Sequence, residues 1–251
     1  MSSSKSSNVV YFGIAIIIAA ICFLTIYFSG HKKVETSYIT KKSEAVTIVS
    51  PDQALEMLKA GNQRFTTTTQ RNVSAIDKNA NIKLLSGQAP FATILACSDS
   101  RFPPETFFNA GIGQLFVVRN AGNQLSTDAL GSIEYASLQL TSRLIVVMGH
   151  QACGAVSAAE KFIRQPGPGE TPALNSIVCN LIPVVLIAGK KNANISKEKL
   201  ITAAIRENVR LGCRLILQSS EPLRKMEAAG ELKVIGAYAD LETGKVEFFQ
   251  P

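Results

Sequence analysis

The sequence predicts an α/β domain built on a mostly parallel sheet. Three observations carry that expectation. Short apolar runs, partly β-branched, recur along the chain from residue 91 onward, each the length of a buried strand. Longer stretches of helical period separate them. Strands that alternate with helices imply right-handed crossovers and a parallel sheet with helices on its faces.

The elements follow in chain order. From Val9 to Phe28 the chain has twenty residues without a charge, about 30 Å as a helix, which matches a bilayer core. Lys5 precedes this run. The run exceeds the usual apolar length of a cleaved signal, about 7–15 residues, and no Ala-x-Ala site follows. Residues 1–30 are therefore read as a membrane anchor or signal segment. Residues 31–49 are polar and basic and read as a tether. The lysines on the far side of the anchor favour a cytoplasmic domain; the short basic N-terminus before a long apolar run favours export, and export is the reading taken. Ser50-Pro51 opens a helix, with Ser as N-cap and Pro at the first helical position; it is expected to stop near Gly61. A polar segment continues to about Gly87. Strands are expected at 91–96, 115–118, 144–149, 232–237 and 246–249, and helices at 127–140, 155–163, 174–188, 197–218 and 222–228. Asp128 and Ser196 stand where caps or first-turn acids belong. Residues 50–251 form the expected catalytic domain.

Composition narrows the function. The net charge is +7, but residues 1–42 contribute four of the seven charges through Lys5, Lys32, Lys33, Lys41 and Lys42 against Glu35. No stretch interleaves aromatic and basic residues, so nucleic acid is not an expected partner. Gly111-Ile-Gly113 precedes a strand and lacks a third glycine, the wrong context for a dinucleotide loop. Five cysteines in a chain of this size do not make a disulfide framework. Cys179 and Cys213 fall in helical patterns and are expected to be buried and inert.

The chemistry lies at two strand ends. Cys97-Ser98-Asp99-Ser100-Arg101 follows one apolar run, and His150-Gln151-Ala152-Cys153 follows another. Open parallel sheets place their crevice at the C-terminal ends of their strands. Cys97, His150 and Cys153 meeting there make a three-ligand zinc site with a fourth position free for water. Such a zinc lowers the pKa of its water towards about 7 and supplies hydroxide near neutrality; carbonic anhydrase is the standard example of that effect. Asp99 has two options. Free, it can take the fourth metal position and close the site. Paired with Arg101 in a bidentate ion pair, it can orient the zinc-bound hydroxide.

These motifs resemble the β-class carbonic anhydrases. The similarity rests on Cys97–Arg101, on Pro103-Pro104-Glu105, on Val117-Val118-Arg119-Asn120-Ala121-Gly122-Asn123, and on His150 through Val156. Leu58 through Phe65 and Asp240 through Val246 extend it over roughly residues 50–250. The resemblance implies reversible hydration of carbon dioxide to bicarbonate and a proton. It implies one Zn2+ per subunit on Cys97, His150 and Cys153, with Asp99 and Arg101 as catalytic dyad and the Gly154 backbone N–H facing the substrate pocket. It also implies four parallel strands plus an antiparallel edge strand, and a homodimer or a tetramer of dimers. Two other readings keep the fold: a different small heterocumulene as substrate, or a non-catalytic zinc scaffold, for which an Asp99–Arg101 pair has no use.

Some β-class enzymes carry a second, regulatory bicarbonate pocket built from Trp, Arg and Tyr. Matched by motif, the Trp position is Ile94 here, the Arg position is Arg119, and the Tyr position is Ala239. Tyr238 is displaced by one residue, which in a strand turns it to the opposite face. Two of the three groups are missing, so a site open to water and not gated by bicarbonate is expected.

Overall fold

The computed structural model describes residues 48–67, 87–192 and 195–251. The expected anchor from Val9 to Phe28 and nearly all of the tether lie outside these residues. The described chain runs α1 (Pro51–Thr67), β1 (Ala92–Cys97), α2 (Pro104–Phe107), β2 (Leu115–Asn120), α3 (Thr127–Leu138), β3 (Leu144–His150), α4 (Gly154–Arg164), α5 (Pro172–Lys191), α6 (Lys197–Ser219), α7 (Glu221–Ala228), β4 (Lys233–Ala239) and β5 (Val246–Phe249).

Local chemistry sets the helix starts. Ser50 and Gln53 cap α1 reciprocally: the Gln53 N–H donates to Ser50 Oγ and the Ser50 N–H to Gln53 Oε1. Ser126, Thr171, Ser196 and Ser220 each accept a backbone N–H from the first turn of α3, α5, α6 and α7. Ser196 is thus a cap as expected. Asp128 is the first-turn acid of α3, the other of the two expected places, where its charge complements the helix dipole.

The five strands form one sheet in the order β2-β1-β3-β4-β5. The first four are parallel and β5 is antiparallel to β4. Every residue of β1 and β3 is buried, which is why these central strands read as continuous apolar runs rather than alternating ones. One face of the sheet, with Ile94, Val146, Met148 and Ile235, packs on Ala54 and Leu58 of α1 and on Phe102, Phe107 and Phe108. The other face, with Leu95, Ile145, Val147 and Val234, packs on Ile133, Val209, Cys213, Ile216 and Leu223. Beyond the strand ends, α4, α5 and α6 enclose a third apolar cluster that includes Cys97, Cys153 and Tyr238. Parallel register then brings Cys97, Asn120, His150 and Ala239 to one rim of the sheet.

Three expectations are corrected. α1 does not stop at Gly61 but continues to Thr67. Gly61 is there for close approach: an added Cβ would lie 2.0 Å from the Phe108 carbonyl oxygen. Cys179 is exposed rather than buried, because the apolar helix α5 covers the domain with only one face. Leu174, Leu186 and Ile187 on α5 are exposed with it. The short helix α2, opened by Pro103-Pro104, was not expected. Cys213 is fully buried, and burial pushes its thiol up to about 12, well away from reactivity.

Candidate metal centre

Each donor is placed by a different part of the fold. Cys97 is the last residue of β1 and His150 the last of β3. Cys153 precedes the first residue of α4, at the helix N-terminus. The turn between His150 and Cys153 is sharp enough to need Ala152 at φ +54°, a left-handed conformation rare outside Gly and Asn. Gln151 ties this turn down: its N–H donates to the Ala239 carbonyl, and its Oε1 accepts the Leu241 N–H at 3.0 Å.

The side chains converge. The ligand atoms of Cys97, His150 and Cys153 all lie within 4.8 Å of one another, and all three residues are buried. The two sulfurs are 4.0 Å apart. His150 Nδ1 faces the Gln151 carbonyl at 2.9 Å, so a proton on Nδ1 leaves the Nε2 lone pair free for a metal. That Nε2 is buried and has no hydrogen-bond partner. Leaving a buried polar atom unpaired costs free energy unless something takes its lone pair. Two sulfurs and one imidazole nitrogen are a donor set that zinc accepts. The residues present therefore fit the ion.

The electrostatics agree. The Cys153 thiol beside it lowers the pKa of Cys97 to about 4, helped by His150 and by the Gly122 N–H, whose nitrogen is 3.3 Å from Cys97 Sγ. Cys153 is pushed up in turn, chiefly by the neighbouring Cys97 and then by burial, although the N–H groups of Ala155 and Val156 favour its thiolate. Two adjacent thiolates repel, so the pair retains one proton; a divalent cation removes that cost.

Asp99 lies beside the donors and outside their group. Its Oδ2 is 3.9 Å from His150 Nε2. Arg101 engages both carboxylate oxygens: Oδ1 accepts from the Arg101 backbone N–H at 3.0 Å and from Nε at 2.9 Å, and Oδ2 accepts from Nη2 at 2.8 Å. The guanidinium holds Asp99 far below the ordinary carboxylate range. Arg101 is 59% exposed and borders an open cleft of about 650 Å³ that Ser100, Thr106, Phe65 and Thr243 also line. Arg119, on β2, fixes the loop from behind: Nε donates to the Cys97 carbonyl at 2.9 Å and Nη2 to the Asp99 carbonyl at 2.7 Å. Phe102 packs on the His150 ring, centroids 5.1 Å apart.

Gly154 is the first residue of α4, and an added Cβ there would meet nothing within 4 Å. At the Trp, Tyr and Arg positions discussed above, Ile94 and Ala239 are fully buried in the core on one face of the sheet. Tyr238 belongs to the cluster on the other side, under the Arg206 guanidinium. Sequence reasoning missed Gly122, Gln151 and the loop contacts of Arg119. The Val117–Asn123 motif pointed to the right loop but not to what its backbone touches.

The sequence profile of the carbonic anhydrase family, described as "Carbonic anhydrase", matches residues 92–246. Carbonic anhydrase 2 of Mycobacterium tuberculosis (strain H37Rv) is 34% identical over 199 residues, covering 78% of this chain and 91% of that protein. A carbonic anhydrase of Mycolicibacterium smegmatis is 34% identical over 201 residues, covering 79% and 93%. Among solved structures, a tetrameric β-carbonic anhydrase of Sordaria macrospora superposes with a TM-score of 0.61 at 28% identity, covering 69% of this chain and 87% of that one. The chain belongs to the carbonic anhydrase family, in its β class.

Proposed function

We propose that the enzyme hydrates carbon dioxide reversibly to bicarbonate and a proton, with zinc held by Cys97, His150 and Cys153. The observation that carries this reading is the convergence of three buried donors beside a carboxylate already engaged by an arginine. When bound, zinc supplies the Lewis acidity that makes hydroxide available from water near neutral pH.

The chain's own residues do the rest. Arg101 occupies Asp99 Oδ1 with two donors and Oδ2 with one, so Oδ2 keeps an acceptor direction free. That oxygen, on the side of His150 Nε2, accepts the O–H of the attacking water and turns its lone pair towards carbon dioxide. Arg101 also keeps the carboxylate from taking the metal itself. Arg119 keeps the Cys97–Asp99 backbone in place for both tasks. The Gly154 N–H, at the positive end of α4, donates to a substrate oxygen. Ile94 and Ala239 leave no second bicarbonate pocket.

The same reading extends to the whole chain. Residues 1–30 anchor it, residues 31–49 tether it, and residues 50–251 work on the exported side of a membrane. Oligomerisation, as a dimer or a tetramer of dimers, is supported by the exposed apolar face of α5 and by the tetrameric relative. The test is stopped-flow carbon dioxide hydration by the full chain, before and after removal of zinc with a chelator. Hydration that falls on chelation and returns with Zn2+ is expected. A zinc-loaded chain without hydration activity would contradict the proposal.

A further inference from the structure

Asn208 presents a problem that packing alone does not solve. It lies in the middle of α6 on the face that buries Ala204, Ile205, Val209 and Gly212, and it is 6% exposed. Asparagine is a poor helix former, and burying its amide is costly unless it is hydrogen-bonded. An apolar side chain would fill such a position at lower cost. The Asn208 amide instead reaches across the domain. Its Nδ2 donates to the Gly122 carbonyl at 2.8 Å, a buried bond between residues 86 positions apart.

Gly122 is the residue that touches the metal ligand. Its own N–H is directed at Cys97 Sγ at 3.3 Å. Its φ is +76°, and an added Cβ would lie 3.0 Å from Leu181 Cδ1 and 3.2 Å from the Ala155 Cβ. Glycine is therefore required on both counts. The loop around it is fixed at its ends: Asn120 exchanges two hydrogen bonds with the Gln124 backbone, both at 2.7 Å, and Gln124 Nε2 donates to the Ile177 carbonyl of α5 at 2.9 Å. The 122–123 peptide is held at both ends: its N–H, from Asn123, donates to the Asn120 carbonyl at 3.2 Å, and its carbonyl, from Gly122, accepts from Asn208. The Asn208 bond thus braces the peptide next to the one whose N–H meets the sulfur, across the freely rotating Gly122 Cα.

We infer that Asn208 is a positioning residue for the Cys97 ligand, acting through Gly122. The inference rests on the zinc reading of the site. An N–H directed at a ligating thiolate fixes the direction of the sulfur and draws charge from it, and such outer contacts typically govern metal retention by about 10–100-fold. α6 thereby helps hold a ligand supplied by β1.

The experiment compares zinc-loaded full-length protein carrying Asn208→Leu, which matches the volume without the donor, with Asn208→Ser, whose hydroxyl is too short to reach Gly122. Asn62→Leu is the control. Asn62 is equally buried, but it binds the Phe107 and Gly244 carbonyls, away from the donors. Two readouts are taken well below the unfolding temperature: the rate of zinc release to a chelator, and the thiolate-to-metal charge-transfer band of the cobalt-substituted protein. Both Asn208 variants should release zinc about 10–100-fold faster than the parent and shift the cobalt band, with Asn62→Leu altering neither. If Asn208→Leu fails to fold, Asn208→Ser carries the same comparison. Parental release rates and an unshifted band in the Asn208 variants would overturn the inference, as would an equal effect of Asn62→Leu. A parent that holds zinc and hydrates carbon dioxide while its Asn208 variants behave normally overturns this inference alone. A parent that holds no zinc overturns the reading on which it rests.

Discussion

Asp99 and Arg101 show how two side chains in one short loop divide their work. Arg101 places three donors on one carboxylate and leaves one acceptor direction open. Its charge also sets the pH range. The carboxyl is held far below its ordinary value of 3.8, so the pair's contribution to stability is complete above that value and is lost only as pH falls through the lower folded value. The ion pair therefore stays intact throughout the neutral range. Asp99→Asn should keep zinc, whose donors are elsewhere, and lower kcat for hydration by about 100-fold or more, since the amide offers Arg101 and water a donor where an acceptor is needed. Stopped-flow rates combined with zinc content decide this; unchanged kcat would remove Asp99 from the mechanism. Ile94 and Ala239 carry a second expectation. With both buried in the core, so that neither a Trp nor a Tyr stands at these positions to pair with Arg119, added bicarbonate should inhibit by simple competition at the site, without cooperativity in the rate profile. The three donors were legible in the sequence because reactive residues end apolar strands there. Asn208 was not, because its partner lies 86 residues away and a buried Asn in a helix carries no local signal.

At the scale of elements, the strands and most helices were readable because period and caps agreed. β1 and β3 gave uninterrupted apolar runs, since both faces of the sheet are covered. The errors arose where tertiary contacts overrode local signals. Gly61 reads as a helix stop, yet α1 continues past it, because the missing side chain lets the helix sit against the Phe108 carbonyl. Gly61→Ala separates the two readings. Helix propensity alone would stabilise the variant by about 1 kcal/mol. Contact with a backbone that cannot yield easily should instead destabilise it, by about 1–3 kcal/mol net. A urea melt measures the difference, and a variant more stable than the parent would show that α1 can move away from Phe108. Cys179 failed for a related reason: the apolar pattern of α5 shows that the helix packs, but not that its outer face remains uncovered.

For the molecule as a whole, the sequence holds an uncharged apolar run from Val9 to Phe28, a polar and basic stretch after it, and the region from 92 to 246 that the family profile matches. Among the described residues, the groups that hold the donors belong to the domain: Arg119 bonds the Cys97 carbonyl, Gly122 faces the Cys97 sulfur, the Gln151 carbonyl faces His150 Nδ1, and Ala239 pairs with His150 in the sheet. A chain beginning at Val46 should therefore be soluble and hydrate carbon dioxide at the full-length rate, while the full-length chain should sediment with membranes. Full-length protein with an intact N-terminus in the soluble fraction would remove the anchor from this account. The central claim is that Cys97, His150 and Cys153 hold the zinc on which hydration depends. Elemental analysis of purified Cys97→Ser beside the parent tests it most directly, because a hydroxyl is a far poorer ligand than a thiolate. The account predicts about one zinc per parent chain and almost none in the variant, with hydration lost in parallel; full zinc content in Cys97→Ser would contradict it.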